Sequence, residues 1–166
     1  MATGRGNQLT KQIGEYLVAA ELCRRDLLAT TFTGNVPHYD IIASHSDGRS
    51  ALVQVKAIQS NSWQFDIRQF ADIVLHKKKQ VFKRLRLPPV RKLICVLVQV
   101  SSTGQDKFYI LRWKDLQVLL TNDYKRYLAE RGGVRPRKYD SFHSAIEPSR
   151  VQRYRDNWDL VGKLLK

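Results

Sequence analysis

The chain has 166 residues, of which 43% are apolar, and its 29 Lys and Arg outnumber its 15 Asp and Glu, giving a net charge of +14. This length supports one hydrophobic core, so we expect a single α/β domain over residues 1–166. No apolar run approaches the roughly 20 residues of a membrane span and no signal-peptide core is present, so we expect a soluble, intracellular protein whose charge attracts nucleic acid, not a membrane.

The chain begins with a Gly-rich segment and continues as an amphipathic helix. Residues 1–7 are predicted to be flexible. In residues 8–27, apolar side chains recur at helical spacing and predict an inward stripe formed by Leu9, Ile13, Leu17, Ala20 and Leu27. Glu15 lies off that stripe beside Ala19 and Leu22, which predicts an acid at the boundary between the helix and a sheet. The alternative is a solvated acid that the helix dipole favours.

Three short segments rich in β-prone residues follow the helix. Residues 28–32 predict a first strand, and residues 38–45 and 50–58 predict two antiparallel strands. The connection between the last two contains Asp47-Gly48, a dipeptide that tolerates the positive φ of a tight hairpin turn. We expect these strands to belong to a central mixed sheet of about four or five strands flanked by helices.

The hairpin over residues 38–58 brings three polar side chains with complementary chemistry together. Successive side chains of a strand face opposite sides, so Gln54 and Lys56 share one face with Leu52. Antiparallel pairing returns Asp40, on the first strand, to the neighbourhood of Gln54 and Lys56. The sequence therefore predicts a space where a carboxylate, an amide oxygen and an ammonium converge.

The second half of the chain is predicted to complete the sheet and its helical cover. Residues 69–83 are interpreted as a helix with Phe70, Ile73, Val74 and Val81 inside, ending before Pro88-Pro89. The apolar run in residues 91–100 predicts the middle strand of the sheet, with a neighbouring strand at 107–112. The remaining predictions are a short helix at 115–120, a loop-rich segment at 121–147 that contacts DNA or another subunit, and a closing helix at 149–165.

Basic residues are concentrated in three segments that lack balancing acids. The clusters comprise Lys77, Lys78, Lys79, Lys83, Arg84, Arg86, Arg91 and Lys92; Arg131, Arg135, Arg137 and Lys138; and Arg150, Arg153 and Arg155. One charge run is usually a solvated surface, but three together favour contacts with phosphates. The predicted DNA contacts come from the first two clusters: Lys77, Lys78, Lys79, Lys83, Arg84, Arg86, Arg135, Arg137 and Lys138.

The Cys and His residues do not form a recognisable metal motif. Cys23 and Cys95 lack CxxC spacing and are predicted to be small buried apolar residues, and the four His residues are scattered. No phosphate-binding loop, dinucleotide fingerprint, zinc-protease motif or nucleophile elbow occurs. The Asp40 hairpin is therefore the candidate for chemistry.

The order of motifs along the chain resembles that of the PD-(D/E)xK nuclease superfamily. The resemblance is carried by Gly14-Glu15 on a helix, then a strand, Asp40 followed by Ile, a Gly-containing turn and Gln54-Val55-Lys56. Beyond Lys56 only the order of elements matches. The pattern is particularly similar to that of small Holliday-junction-resolvase-like nucleases. Intron-encoded homing endonucleases and transposase-associated nucleases of the superfamily are also similar, and some carry the same Gln-x-Lys variant.

This resemblance implies a restriction-endonuclease-like fold and a Mg²⁺-dependent DNA endonuclease, with Mn²⁺ as a possible substitute. Asp40 is implied as the principal metal ligand, with the Gln54 amide oxygen in place of the usual second acid and the Val55 backbone carbonyl beside them. Lys56 is implied to position or activate the attacking water. Glu15 corresponds to the helix acid that binds a second metal or orients water. Oxygen donors of this kind suit a hard divalent ion.

Gln54 is the main departure from the superfamily pattern, because it removes a negative charge from the metal site. A catalytically inactive DNA-binding protein with the same fold is therefore the first alternative, and a basic RNA-associated structural protein is the second. The predicted substrate is double-stranded or branched DNA, and homing, restriction, junction-resolving and repair roles all remain open. Since one compact site cuts one strand, we expect a homodimer or a higher homo-oligomer.

Overall fold

The structure, a computed structural model, describes residues 4–32, 34 and 36–165. Its α-helices in these ranges are α1 Gly4–Cys23, α2 Trp113–Ala129 and α3 Asp159–Leu164, and 3₁₀ segments span Ile67–Gln69 and Pro148–Tyr154. The strands are β1 Leu28–Thr31, β2 Ile41–Ser44, β3 Ser50–Ile58, β4 Trp63–Asp66, β5 Ala71–His76, β6 Lys79–Leu85, β7 Ile94–Gln99, β8 Lys107–Arg112 and β9 His143–Ile146. None of the described helices is long and apolar enough to cross a membrane.

A five-stranded mixed sheet forms the centre of the fold, in the order β1-β2-β3-β7-β8. Strand β3 pairs antiparallel with β2 and parallel with β7, and β8 runs antiparallel to β7. The predicted α/β fold with a central mixed sheet flanked by helices is confirmed. Strand β7 is buried along most of its length, as its apolar run predicts, but the middle position belongs to β3. The strand that carries Gln54 and Lys56 is therefore the central one.

The sheet separates two hydrophobic cores. On one face, α1 covers β3, and α3 joins the same core, which includes Val18, Val53 and Val161. On the other face, α2 packs on β7, with Leu116 and Leu97 in the second core. Alternation along β3 sends Val53 and Val55 to the α1 side, and Gln54 and Lys56 to the α2 side.

Helix α1 exists as predicted, but it presents a different face to the sheet. It begins at Gly4, inside the segment expected to be flexible, whereas residues 1–3 lie outside the described ranges. The buried positions, four residues apart, are Thr10, Gly14, Val18 and Leu22. Leu9 and Ile13 of the predicted stripe are 50% and 39% exposed. Gly14 explains this difference, because the helix approaches the sheet most closely where it has no side chain. Glu15 therefore lies directly beside the buried stripe.

The helix predicted for residues 69–83 is wrong, because this segment forms the antiparallel β5–β6 ribbon. Its apolar residues pair across the two strands, with Ile73 opposite Phe82 and Val74 opposite Val81. The connecting turn contains Lys77 and Lys78 with no Gly or Asn, although Lys77 adopts a φ of +55°. Because the usual residues for positive φ are missing, the sequence carries no hairpin signal at this turn.

The loop predicted for residues 121–147 is partly regular structure. Helix α2 continues to Ala129, because its inward stripe of Leu116, Leu120, Tyr124 and Leu128 extends well past the predicted end at residue 120. Strand β9 then pairs antiparallel with β4. The rest of the segment is irregular, as expected.

The single closing helix predicted for residues 149–165 is also wrong. A 3₁₀ segment and α3 flank a break at Asp156, whose φ is +51°. The backbone N–H of Asp156 donates to the Phe108 carbonyl at 2.9 Å, and Arg155 bridges to Tyr109 on β8. Contacts with a distant strand thus override the helical spacing of the apolar residues.

Candidate active site

Asp40 is held rigidly where β2 begins. Its backbone N–H donates to the Val53 carbonyl at 2.8 Å, and its side-chain Oδ2 accepts a hydrogen bond from the Val55 backbone N–H at 2.8 Å. The carboxylate therefore extends the pairing of β3 beyond Ile41, the first residue of β2. Its second oxygen, Oδ1, lies 3.8 Å from the Lys11 ammonium. The side chain is 19% exposed, which leaves Oδ1 accessible to a ligand.

The Val55 carbonyl points towards the same space. In a strand, the N–H and C=O groups of one residue project from the same edge. Because the Val55 N–H meets Asp40 on the β2 side, the Val55 C=O faces that side as well. Strand β2 pairs with β3 only as far as Val53, so no β2 partner stands opposite this carbonyl.

Asp40, Gln54 and Lys56 line one cavity of about 190 Å³. The convergence predicted from the hairpin is therefore present in the structure. The wall also includes Lys11 and Gln69, which were not among the candidate residues. Both lie outside the hairpin, on α1 and in the 3₁₀ segment before β5, and the motif spacing contains no signal for them.

The Gln54 amide faces the α2 side of the sheet beside a thiol. The Cys95 Sγ lies 4.0 Å from the Gln54 Oε1, within reach of a weak S–H donor. Burial raises the pKa of Cys95 well above its usual range, and Asp115 and Asp40 add to the effect, so this thiol stays protonated. Cys95 is buried as predicted, whereas Cys23, the last residue of α1, is exposed, and both are free.

Lys56 is a poorly solvated ammonium beside the Asp40 carboxylate. Burial lowers the pKa of Lys56, the charge of Asp40 raises it, and the nearby Lys11 lowers it further. The Nζ atom lies 4.8 Å from the centroid of the Phe65 ring, a cation–π distance that holds the side chain in place. A positive charge with so little water around it acts strongly on any anion entering the cavity.

Glu15 completes the group of acids from the helix side. Burial raises the pKa of Glu15, the charge of Asp40 raises it further, and Lys11 lowers it. The Lys11 Nζ lies 3.4 Å from the Glu15 Oε1, yet this buried oxygen makes no hydrogen bond of ordinary geometry with any described residue. One exposed ammonium thus stands between two carboxylates that repel each other.

Gly14 explains how Glu15 reaches the site. A Cβ atom at Gly14 would lie 2.4 Å from the Cβ of Ala57 on β3, far inside normal carbon–carbon contact. Only glycine lets α1 lie this close to the central strand. The Gly-Glu pair identified in the sequence therefore combines a close-contact residue with the acid that the contact positions.

A second cavity of about 450 Å³ adjoins the first on the α1 side. Asp40 and Lys11 line both cavities, and Glu15 lines the larger one. Phe32 and Tyr39 also contribute to its wall, with their rings in edge-to-face contact at 5.7 Å. Asp40 therefore lies at the boundary that the two cavities share.

The oxygen donors of this site suit a hard divalent cation, although they include few acids. In the parts of the chain that the structure describes, no three His, Cys, Asp or Glu side chains cluster as metal ligands. The available donors are the Asp40 carboxylate, the Gln54 amide oxygen, the Val55 carbonyl and the buried Glu15 carboxylate. Magnesium commonly binds through one or two carboxylates and keeps several waters, so this set fits it.

The residues predicted to contact DNA divide into two groups. Arg84 and Arg86 both bind Asp72 through their Nε atoms, at 2.8 and 2.6 Å. Arg135 donates to the His143 carbonyl at 2.6 Å. These three are held by the protein itself. Exposed residues with no acidic partner among the described parts of the chain are Lys77, Lys78, Lys79, Lys83, Arg137 and Lys138.

Comparison with known proteins identifies a similar fold. No protein-family model matches the chain, and no curated protein is similar in sequence. The solved structure of the bacterial homing endonuclease I-Ssp6803I is similar, with a TM-score of 0.52 over 94% of this chain and 93% of that chain. Sequence identity is 13%, so the similarity establishes the fold alone.

Proposed function

We propose that this protein is a Mg²⁺-dependent DNA endonuclease of the PD-(D/E)xK type, which hydrolyses phosphodiesters with metal-activated water. The observation that carries the proposal is the single cavity lined by Asp40, Gln54 and Lys56, with Glu15 in the adjoining space. The shared fold with a bacterial homing endonuclease supports the same conclusion, as does the charge of +14.

In this mechanism Asp40 and Val55 act as a preorganised pair. The Val55 N–H fixes one carboxylate oxygen and leaves the other free as a metal ligand, with the Gln54 amide and the Val55 carbonyl alongside. A bound Mg²⁺ would stabilise the negative charge that develops on the phosphodiester and lower the pKa of a coordinated water. Mn²⁺ has a similar preference for oxygen ligands and could take the place of Mg²⁺.

Lys56 orients the attacking water and stabilises the phosphoryl oxygens. Its ammonium is fixed over Phe65 and is largely desolvated, so it needs little rearrangement when negative charge grows nearby. Glu15 would accept a hydrogen bond from the water on the α1 side or would hold a second ion. Lys11, with 56% of its side chain exposed, is free to turn from these acids towards a phosphate when a cation enters.

The proposed substrate is double-stranded or branched DNA, cut by a homodimer or higher homo-oligomer. One site of this size reaches one phosphodiester, so cutting both strands requires two sites related by symmetry. If the protein cuts as a monomer, nicked circular DNA is expected to accumulate before the linear product. If it cuts as a dimer, the linear product is expected to form without a lag. Plasmid gels show the order of the products, and light scattering gives the oligomeric state.

The test is cleavage of plasmid, linear duplex and four-way-junction DNA in Mg²⁺ or Mn²⁺. Asp40→Ala and Lys56→Ala are expected to abolish cutting, while Asp159→Ala and Lys163→Ala on α3 serve as controls with the same charge changes. Thermal melts verify that each variant is folded. Absence of metal-dependent cutting by the wild type on all three substrates, or cutting unaffected by both site substitutions, contradicts the proposal.

Two observations favour a second candidate, a DNA-binding protein without nuclease activity. Gln54 supplies no charge, and the Lys11 ammonium lies 3.8 Å from the free oxygen of Asp40. Both features weaken attraction for a cation. This candidate predicts salt-sensitive DNA binding that survives Asp40→Ala and needs no divalent ion, and preference for RNA over DNA would instead indicate the RNA-associated alternative.

A further inference from the structure

The β5–β6 ribbon is a two-stranded sheet separate from the central one, and its two faces differ. Residues directly opposite each other in the register share a face. Ile73 and Phe82 face inward and pack against the core on the α2 side. The next pair, Val74 and Val81, faces solvent with 43% and 37% exposure. The ribbon therefore has an attached face and a free face.

Buried amides hold the attached face firmly. The Gln80 side chain donates through Nε2 to the carbonyls of Tyr139 and Ser141, at 2.7 and 2.9 Å, and its backbone N–H donates to the Gly133 carbonyl at 2.8 Å. At the other end, the Gln117 Nε2 of α2 donates to the Phe70 and Arg86 carbonyls at 2.7 and 2.8 Å. Fixed at both ends, the ribbon presents its free face in a defined orientation.

The free face and its surroundings carry cations without acidic partners. The contacts of Gln80 place the loop of residues 133–141 alongside the ribbon, so two basic clusters that are distant in sequence form one surface. The exposed cations of this surface are Lys77, Lys78, Lys79, Lys83, Arg137 and Lys138. Among them the ribbon also exposes the apolar Val74–Val81 pair and His76.

We infer that the β5–β6 ribbon enters the major groove of duplex DNA and reads base edges there. This inference rests on the proposed function only in taking duplex DNA as the ligand. The major groove, about 12 Å wide, admits a two-stranded ribbon with strands about 5 Å apart. Lys77, Lys78 and Lys83 contact phosphates at the groove walls. The Val74–Val81 pair contacts thymine methyl groups, and His76 and Lys79 donate to acceptors on purine edges.

The ribbon also fixes where bases are read relative to the cut. The ribbon begins at Ala71, two residues after Gln69, which lines the proposed catalytic cavity. Strand β5 has six residues, so the tip of the ribbon lies at most about 17 Å from the start of the strand. This length corresponds to about five base pairs of duplex DNA. The tip of the ribbon therefore reads bases at most about five base pairs further from the cavity than the start of β5 does.

The first test measures DNA binding without divalent ions, in EDTA, so that cleavage plays no part. A preferred duplex is first selected from a randomised library by binding to the wild type. The affinity of each variant for this duplex is then measured at several salt concentrations. Lys77→Gln/Lys78→Gln removes two phosphate contacts, and Lys107→Gln/Lys163→Gln is the control with the same charge change. Raising the salt from about 50 to 200 mM lowers the affinity of both variants. The factor of this decrease is expected to be about tenfold smaller for the ribbon variant than for the control. Equal salt dependence of the two variants overturns the inference.

The second test identifies the groove. Dimethyl sulfate modifies guanine N7 in the major groove and adenine N3 in the minor groove. We expect bound wild-type protein to protect guanine N7 positions, and Val74→Ala/Val81→Ala to select a different sequence while keeping the wild-type salt dependence. Protection confined to adenine N3, or no detectable duplex binding, overturns the inference. If binding and N7 protection persist in a protein that cuts nothing, the nuclease proposal fails and the ribbon inference stands.

Discussion

Substituting Gly14 by Ala tests how α1 is seated on the central strand. The new Cβ would lie 2.4 Å from the Ala57 Cβ, so the helix must retreat by about 1 Å to restore normal contact at 3.5 Å or more. Overpacking of this kind costs about 1–3 kcal/mol, and the better helix propensity of Ala offsets up to about 1 kcal/mol. We expect Gly14→Ala to be destabilising in urea denaturation. Because Glu15 moves with the helix, we also expect slower cleavage.

Two further variants make the result specific. A Cβ at Gly162 on α3 meets no atom of the described residues within 4 Å, so Gly162→Ala is expected to leave stability unchanged or to raise it by about 0.5–1 kcal/mol. In Gly14→Ala/Ala57→Gly, the remaining neighbours of the new Cβ are 3.6 Å away, which is ordinary contact. A double-mutant cycle is therefore expected to show favourable coupling of about 1–3 kcal/mol. Purely additive effects, or a destabilisation by Gly162→Ala equal to that of Gly14→Ala, refute the reasoning.

Three other substitutions test the site and the ribbon. Since burial and Asp40 raise the pKa of Glu15, its ionisation destabilises the fold above that pKa and ceases to do so as the pH falls below the ordinary value of 4.5 for a glutamate. Urea denaturation is therefore expected to show Glu15→Gln more stable than the wild type at neutral pH, by on the order of 1 kcal/mol, and no advantage in acid. Gln54→Glu adds an anionic ligand, so Mg²⁺ titrations of cleavage are expected to shift to lower concentration, and an unchanged titration contradicts metal binding by Gln54. Gln117→Leu removes the side-chain donor shared by the Phe70 and Arg86 carbonyls, although the Phe70 carbonyl still accepts from the Arg86 backbone N–H. It is expected to cost about 1–3 kcal/mol, with faster amide exchange in β5 and β6, whereas the exposed control Gln152→Leu changes neither.

The elements that were predicted well from the sequence are those whose hydrogen-bond partners lie close in sequence or whose residues are buried on both faces. The β2–β3 hairpin follows from Asp47-Gly48 and alternation, and β7 follows from an apolar run buried on both faces. The β5–β6 ribbon was missed because one of its apolar pairs, Val74 and Val81, faces solvent, so the period of two is hidden. Its turn uses Lys77 where glycine is usual, so no local signal corrected the helical interpretation.

The candidate site was predicted where strand geometry alone determines it. Asp40, Gln54 and Lys56 share a cavity because the hairpin register places them together, which requires no knowledge of distant packing. Lys11 was missed because its position depends on which face α1 presents, and that depends on the contact at Gly14. Gln69 was missed because it lies in the 3₁₀ segment that the helical interpretation had absorbed.

The site residues that the sheet positions and those that α1 positions respond to different structural changes. The bond from the Val55 N–H to Asp40 belongs to the sheet, so it survives a small displacement of α1. Glu15 and Lys11 belong to the helix and move together when it shifts, so the acid and its counter-charge leave the cavity as a unit. A loosened α1 is therefore expected to retain binding of a first divalent ion through Asp40 and to lose the contribution of Glu15. Comparing the affinity for the first Mg²⁺ with the cleavage rate in Gly14→Ala separates these roles, because Asp40 would hold the first ion whereas Glu15 acts on the water or on a second ion.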